Sequence, residues 1–310
     1  MVQVDLITGF LGAGKTTFLR RYVRYLVAQG HNVCILENDF GAVNVDAMLV
    51  QDLLGPNCDL ETISGGCDCD THQRRMRTKL IAMAMRGFDR VVVEPSGIFD
   101  VDEFFDVLQD DPLDRWYHIA IVDAMLPETL SPQAEYVLAS ETANAGRVLV
   151  SRTQLAGQQQ TAAAVAHLTR ALEGCKCSRR FAPEEIITKD WAQLTDADLA
   201  AIAACGCRQA SCEKLHFDEH EAFRSLCFLE QHLTLQQLQA AADRLFADAA
   251  CGHVLRVKGF APDPQGTTGW LELNATAAGR TLEPIPQGQD VLIVIGEGLD
   301  KAAIEARLKA

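Results

Sequence analysis

Residues 9–16 read Gly-Phe-Leu-Gly-Ala-Gly-Lys-Thr, which is a glycine, four residues and then Gly-Lys-Thr. Glycines at this spacing let successive backbone N–H groups point inward at phosphate oxygens. In such a loop Lys15 reaches the β- and γ-phosphates and Thr16 offers its hydroxyl to Mg²⁺. An apolar strand at residues 4–8 precedes the loop and an amphipathic helix at 15–28 follows it, so a glycine-rich turn without a ligand is disfavoured. The residues that we predict to contact nucleotide here are Gly9, Gly12, Ala13, Gly14, Lys15, Thr16 and Thr17.

A second element follows the apolar residues 91–93, where the chain reads Glu94-Pro95-Ser96-Gly97. A carboxylate at the end of a buried strand can hold the Mg²⁺ shell or orient an attacking water. Gly97 lets a backbone N–H approach the γ-phosphate. The simpler alternative is a helix cap after a strand. Beside a phosphate-binding loop, the pattern favours catalytic roles for Lys15 and Glu94.

The order of apolar and amphipathic stretches predicts the fold class. Strands are predicted at residues 4–8, 33–36, 91–93, 118–122, 148–150 and 185–188. Helices are predicted at residues 15–28, 74–85, 158–172 and 196–204. This alternation predicts an α/β P-loop NTPase domain with a mainly parallel sheet at residues 1–210. After it, strands within 215–229 and at 253–260, 269–274 and 291–296, with helices at 234–247 and 300–308, predict a small α+β domain at 211–310.

Composition narrows the possible partners. The chain has 28 basic and 42 acidic residues, a net charge of −14. A chain this acidic repels phosphate backbones and anionic lipids, so nucleic acid and membrane are not expected partners. No apolar stretch approaches the 18 residues of a membrane span. We find no signal peptide at the amino terminus and expect a cytoplasmic protein. Eleven cysteines then favour metal or redox chemistry over disulfides.

Residues 67–72 read Cys-Asp-Cys-Asp-Thr-His, with two thiols and an imidazole in six residues. Thiolate and imidazole suit Zn²⁺, Co²⁺ or Ni²⁺. Cys67, Cys69 and His72 can supply three ligands of a tetrahedral site, with Glu37 or Asp70 as the fourth. A helix is predicted to begin near residue 71, at the sheet edge that also holds the phosphate loop. The alternatives are reduced bystander cysteines or a regulatory thiol pair.

These stretches together resemble the CobW-like GTPases, P-loop proteins related to the nickel-insertion GTPases of urease and hydrogenase. The stretches are GFLGAGKTT at 9–17, ENDFGAVNVD at 37–46, GGCDCD at 65–70, EPSG at 94–97, VDA at 122–124, VLRVKGF at 254–260 and VLIVIGEGLD at 291–300.

The resemblance implies that hydrolysis of Mg·GTP is coupled to delivery of zinc or cobalt to a client metalloprotein, and it allows a homodimer. It implies that Glu37 and Asp39 are acidic residues of the switch segment, and Asp39 or Glu94 would orient the water or the Mg²⁺ shell. The family's Gly-Cys-x-Cys-Cys motif maps onto Cys67, Cys69 and Asp70, so a carboxylate replaces the third thiol. A carboxylate is a harder metal ligand than a thiolate, so this replacement makes the donor set of the site harder.

The guanine-binding sequence of GTP-specific relatives, Asn-Lys-x-Asp, is altered here. The corresponding residues are Ser151, Arg152, Thr153 and Gln154. A glutamine offers one acceptor oxygen, and its NH₂ opposes a guanine donor. Losing a charged bidentate contact costs about 2 kcal/mol of discrimination. Ser151, Arg152 and Gln154 are predicted to lie at the base, with Arg152 stacking on a purine. The resemblance implies GTP, and these residues leave ATP open.

A second group of cysteines follows two predicted helices, and its members are Cys175, Cys177, Cys205, Cys207 and Cys212. If both helices run antiparallel to the strand between them, the two Cys-x-Cys pairs can meet and form a zinc site. Unassociated thiols and a redox disulfide are the alternatives.

Three further groups of residues are weaker candidates. Arg256 and Lys258 share a strand face that could close over nucleotide, bind an acidic partner or simply be solvated. His216 and His220 fit a weak metal surface or a solvated loop. The tryptophans look like packing residues.

Three functions fit the whole sequence. The first is a metal-linked NTP hydrolase, for which a GTPase is the first expectation and an ATPase the second. The second is a nucleotide-dependent metal sensor or store without significant catalysis. The third is an ATP-driven loading factor for a metallocofactor enzyme.

Overall fold

The computed structural model describes residues 2–10, 12–39, 49–64, 69–95, 101, 115–210, 212–213, 223–266, 269–277, 279–285 and 288–309. At residues 38–39, 64, 69–73 and 115 the description extends to the backbone alone. The chain forms two compact units. One comprises Met1–Phe40 and Val50–His216, and the other comprises Gly41–Leu49 and Phe217–Ala310.

The first unit is built on a seven-stranded sheet. Its strands are β1 (Gln3–Thr8), β2 (Val33–Asp39), β3 (Cys58–Ser64), β4 (Arg90–Glu94), β5 (Arg115–Asp123), β6 (Arg147–Ser151) and β7 (Ile186–Ile187). The strand order is β3-β2-β4-β1-β5-β6-β7, and every neighbouring pair is parallel. All five residues of β4 are buried, as expected for a strand covered on both faces.

Helices cover both faces of this sheet. They are α1 (Lys15–Ala28), α2 (Cys69–Arg86), α3 (Pro132–Ala143), α4 (Thr153–Gly174) and α5 (Asp196–Ala203). Alternate strand residues separate the two faces: Ile35 packs with α1 and α5, whereas Cys34 packs with α2. The chain lies on one side of β1 for β2 to β4 and on the other for β5 to β7. The carboxyl end of β1 is therefore the switch point, where open α/β sheets bind ligands.

A buried ion pair joins the amino-terminal ends of β1 and β4. The Arg90 guanidinium donates to both carboxylate oxygens of Asp5, at 2.8 and 2.5 Å. The Tyr22 hydroxyl donates to the same carboxylate at 3.0 Å. Asp5 is fully buried and the Arg90 side chain is 5% exposed. A charged pair this deep persists only because its hydrogen bonds are nearly complete.

Among its described residues, the second unit is an antiparallel sheet with two helices. Its strands are β8 (Phe223–Leu229), β9 (His253–Pro262), β10 (Trp270–Thr276), β11 (Gly279–Ile285) and β12 (Val291–Glu297), in the order β11-β10-β9-β12-β8. Helices α6 (Leu235–Ala247) and α7 (Lys301–Leu308) pack on one face. The two sheets confirm the predicted fold class, a mainly parallel P-loop domain with a small C-terminal α+β region. The domain boundary at residue 210 stays a prediction.

Several sequence-based assignments need correction. Helix α2 begins at Cys69, two residues before the expected start. Strand β11 was not predicted. Its Pro284 is tolerated because β11 is an edge strand. Lys258 does not lie on a solvated face. It is 7% exposed and lies 3.5 Å from the Glu272 carboxylate.

His216 and His220 lie outside the described residues. Within the described part of the chain, we find no helix with the length and apolar character needed to cross a membrane.

Candidate functional site

The phosphate-binding loop leaves β1 and opens α1, as the sequence predicts. Gly9, Gly12 and Gly14 have φ of 146°, 84° and 104°, which side chains rarely adopt. A Cβ on Gly9 would lie 2.5 Å from the Ile121 carbonyl oxygen, so no side chain fits there. The Lys15 ammonium is buried in the loop and donates to the Gly9 carbonyl at 2.8 Å. The loop is therefore folded around a positive charge.

Carboxylates lie next to the first turn of α1. The Thr16 hydroxyl donates to Glu94 Oε1 at 2.9 Å. Glu94 ends β4, and its register partner on β2 is Glu37. Glu94 is 6% and Glu37 is 2% exposed. A hydroxyl and buried carboxylates are hard oxygen donors of the kind that Mg²⁺ prefers, so these residues fit a magnesium ion held beside a phosphate group.

The other predicted residues of this edge lie partly outside the described structure. Gly97 and Cys67 are not among the described residues. Asp39 is the last residue of β2, where its backbone is in register with Ser64 of β3. Cys69, Asp70 and His72 form the first turn of α2, for which the backbone alone is described. The cysteine segment therefore follows the carboxyl end of β3. This strand lies next to β2, which carries Glu37.

A buried histidine, which the sequence analysis missed, fixes the strand end before the loop. The Thr8 hydroxyl donates its proton to the Glu141 carbonyl at 2.6 Å. Its oxygen therefore accepts from His118 Nε2, 2.8 Å away. Complete burial lowers the pKa of His118 to about 4, so the imidazole is neutral at pH 7. Its sequence neighbours give no signal, because His118 lies in an otherwise apolar strand.

Arg152 connects the phosphate loop to the end of β5. Its guanidinium pairs with the Asp123 carboxylate and donates to the Gly12 carbonyl at 2.8 Å. Its backbone is left-handed, with φ of 56°. We predicted that Arg152 would stack on the base, whereas its guanidinium is held by these partners. Ser151 is buried and Gln154 is exposed at the start of α4.

Trp191 packs beside the same loop. Its ring meets Phe18 edge-to-face, with centroids 5.5 Å apart. A Cβ on Gly14 would lie 3.4 Å from the ring. Trp191 is thus a packing residue, as predicted, but one that limits the space at the loop's last glycine. Its place just after β7, next to the strand that ends at Ser151, is the signal that could have linked it to the site.

The five cysteines of the second group do not all lie in one cluster. Cys177 lies in the core under α3 and α4, with Cys175 and Cys212 packed against it. Cys205 packs against the core of α1 and α5 instead. The two preceding helices share a sheet edge but cover opposite faces, which is why the predicted Cys₄ site does not form. Burial raises the pKa of Cys205 to about 12 and raises that of Cys175. Among the described residues, no three His, Cys, Asp or Glu side chains are grouped to hold a metal ion.

A parallel α/β sheet with a glycine-rich loop, a buried lysine and a hydroxyl–carboxylate pair at its switch point defines a P-loop nucleotide-binding domain. Residues 3–178 match the family described as CobW/HypB/UreG, nucleotide-binding domain. The chain belongs to this family, which confirms the resemblance seen in its motifs.

Named relatives match parts of the chain. The zinc chaperone YjiA of Escherichia coli is 31% identical over 51% of this chain and 52% of its own length. The zinc chaperone CobW of Pseudomonas aeruginosa is 35% identical over 31% of this chain and 28% of its own length. The zinc-regulated GTPase metalloprotein activator 1 of Schizosaccharomyces pombe is 34% identical over 31% of this chain and 24% of its own length.

The chain thus spans about half the length, or less, of these relatives. Among solved structures, the hydrogenase maturation factor HypB from Archaeoglobus fulgidus is similar over 66% of this chain and 88% of that chain, with 18% identity and a TM-score of 0.42.

Proposed function

We propose that this protein hydrolyses GTP and couples its nucleotide state to the binding of a zinc ion and its delivery to a client metalloprotein. The 2.9 Å contact between the Thr16 hydroxyl and Glu94 supports the proposal most directly, since it joins the phosphate loop to the acidic strand end. Zinc and GTP are chosen over cobalt and ATP because the relatives are named zinc chaperones and a zinc-regulated GTPase.

The proposed chemistry uses groups already gathered at the sheet edge. Lys15 exchanges the Gly9 carbonyl for phosphate oxygens and stabilises the negative charge that develops on the transferred phosphoryl group. Thr16 and Glu94 would hold Mg²⁺, which supplies charge neutralisation between the β- and γ-phosphates when bound. Asp39 or Glu94 orients the attacking water. The backbone N–H of Gly97 would approach the γ-phosphate.

The metal is the cargo, and its ligands are proposed to be Cys67, Cys69 and His72, with Glu37 or Asp70 as the fourth. Glu37 supports a link between the sites, because it is the register neighbour of Glu94 and is buried with it. A ligand shared across this pair of strands would feel the nucleotide state. Metal affinity and nucleotide affinity are then reciprocally coupled.

Phosphate release with GTP and with ATP, each with and without Zn²⁺ or Co²⁺, tests the hydrolase. We expect hydrolysis that Zn²⁺ stimulates, that prefers GTP and that Lys15→Ala lowers by roughly a hundredfold or more. The matched control is Lys176→Ala, an exposed lysine remote from the loop in sequence. Hydrolysis equal in wild type and Lys15→Ala would refute the proposal, and a clear preference for ATP would overturn the choice of GTP.

The cargo site needs a separate measurement. Zn²⁺ affinity is measured for the wild type and for Cys67→Ser/Cys69→Ser, with and without a non-hydrolysable GTP analogue. We expect the analogue to change the wild-type affinity and the double substitution to abolish that change. Cys207→Ser, an exposed cysteine outside the site, is the control. Equal affinities in all samples would remove the metal function from this segment.

A nucleotide-dependent metal sensor or store is the second candidate. The observation that favours it is the base-binding segment, where Arg152 is held by Asp123 and Gly12 and Gln154 replaces a carboxylate. A sensor or store would bind nucleotide and metal tightly, and the wild type would release phosphate no faster than Lys15→Ala. An ATP-driven loading factor is the third candidate, and the ATP arm of the same assay identifies it. A homodimer and a cytoplasmic location stay predictions.

A further inference from the structure

Helix α2 is rich in basic side chains. Its 18 residues include five basic side chains, at Arg74, Arg75, Arg77, Lys79 and Arg86, and one acidic residue, Asp70. The whole chain carries a net charge of −14. A concentration of positive charge on one helix of an acidic protein forms a local electrostatic patch.

The basic side chains of α2 differ in their ion pairs and in their exposure to solvent. Lys79 pairs with Glu61 on β3, and Arg86 pairs with Asp59 and Glu61. These two side chains serve to fasten the helix to the edge strand. Arg74, Arg75 and Arg77 are all exposed. They lie in the amino-terminal half of the helix, where the macrodipole does not favour cations.

Two apolar side chains continue the same surface. Met76, Leu80 and Met83 bury the inner face of α2 in the core. Opposite them, Arg74, Thr78, Ile81 and Met85 follow the helical spacing of i, i+4, i+7 and i+11. Ile81 is 41% and Met85 is 85% exposed. A flexible methionine on a surface is well suited to contact with a partner. We name the exposed residues Arg74, Arg75, Arg77, Thr78, Ile81 and Met85 the α2 patch.

We propose that the α2 patch is the docking surface for the metal-receiving client, and that the client presents an acidic surface with an apolar spot. This inference rests on the proposed function. Charge complementarity selects the partner, since arginines at one end of the patch match carboxylates and Ile81 and Met85 at the other end match apolar side chains. The helix begins at Cys69, in the segment proposed to bind the metal, so a client seated on the patch would be adjacent to the cargo.

Site-specific photocrosslinking in cells identifies the occupant. A photoreactive amino acid replaces Thr78 at the centre of the patch, and Arg170, an exposed residue of α4, is replaced in a control. We expect Thr78 alone to crosslink a metalloprotein, through a segment rich in Asp and Glu. Crosslinking to a second copy of this chain, to a basic or uncharged segment, or to nothing would overturn the proposal.

The identified protein is then purified, and its Kd for the full chain is measured at low and high salt. Arg74→Glu/Arg77→Glu should weaken binding roughly tenfold or more and remove most of its salt dependence. Ile81→Ser/Met85→Ser should weaken binding at both salt concentrations. The control Arg170→Glu/Leu282→Ser, also at exposed positions, should bind like the wild type. Unchanged affinity in both patch variants would overturn the proposal.

Hydrolysis and zinc binding by the free chain separate this inference from the proposed function. Both patch variants should keep the wild-type rate of phosphate release and the wild-type zinc affinity, because the substituted side chains are exposed and lie outside the proposed catalytic and metal-binding residues. A wild type without hydrolysis refutes the proposed function. Normal hydrolysis together with unaffected client binding in the variants refutes the docking surface alone.

Discussion

The neutral imidazole of His118 should make the first unit sensitive to mild acid. In the folded state its pKa is about 4, because the ring is completely buried. In the unfolded chain it returns to about 6.5. The unfolded state therefore binds the proton more readily between these values. The stabilisation is fully present above pH 6.5 and is lost as the pH falls toward 4.

The size of the effect follows from the two pKa values. At pH 5 the unfolded imidazole is almost fully protonated while the folded one is almost neutral. Proton linkage then costs about 2 kcal/mol of the free energy of unfolding relative to pH 7. His118→Gln removes the titrating group, so the variant should lose about 2 kcal/mol less than the wild type between these pH values. The comparison uses the pH dependence and does not require equal stability at pH 7.

Urea unfolding at pH 7 and pH 5 tests this prediction. Trp270 lies in the second unit, so Trp270→Phe leaves Trp116 and Trp191 to report the unfolding of the first unit by fluorescence. The matched control is His31→Gln, a partly exposed histidine of the same unit. This variant shows the effect of replacing a histidine that is only partly buried. An equal loss of stability in the wild type and His118→Gln would refute the argument from burial.

Two further substitutions test the loop and the core. Gly9→Ala should weaken nucleotide binding roughly tenfold or more, since its Cβ would lie 2.5 Å from the Ile121 carbonyl oxygen in a disfavoured backbone conformation. Titration with a fluorescent nucleotide measures this affinity. The control is Gly30→Ala, at φ of 89° with open space around it. Asp5→Ala should lower the free energy of unfolding by about 3–5 kcal/mol, because Arg90 would keep a buried charge without its carboxylate. A loss under about 1 kcal/mol in urea unfolding would contradict the assigned role of the ion pair.

Local sequence was sufficient for the features that depend on nearest neighbours. The loop at 9–16 was predictable because glycine spacing, an apolar strand and an amphipathic helix are all encoded within about 25 residues, and hydrophobic periodicity gave the strands and helices around it. The second unit was harder. Strand β11 has mostly exposed residues and contains Pro284, so its pairing with β10 leaves little trace in the local pattern.

The candidate site was predictable residue by residue but not contact by contact. Thr16 and Glu94 were each assigned to the phosphate site, and their hydrogen bond joins residues 78 positions apart. The role of His118 was missed, because only the fold brings its ring to Thr8, 110 residues away. The error over Cys175 and Cys205 has the same origin. Sequence order gave the direction of the two helices, but the sheet face that each covers depends on the crossovers.

The amino-acid sequence by itself determined the phosphate-binding loop, the family and the division into a parallel and an antiparallel part. The loop and the division follow from local spacing and from the periodicity of apolar side chains, and the family follows from the resemblance of its motifs. None of these needs distant contacts. The tertiary structure alone decided that Glu37 adjoins Glu94, that Arg152 is held by Asp123, and that the cysteine pairs separate. Strand order and helix placement decide such contacts, because they bring together side chains that are far apart along the chain.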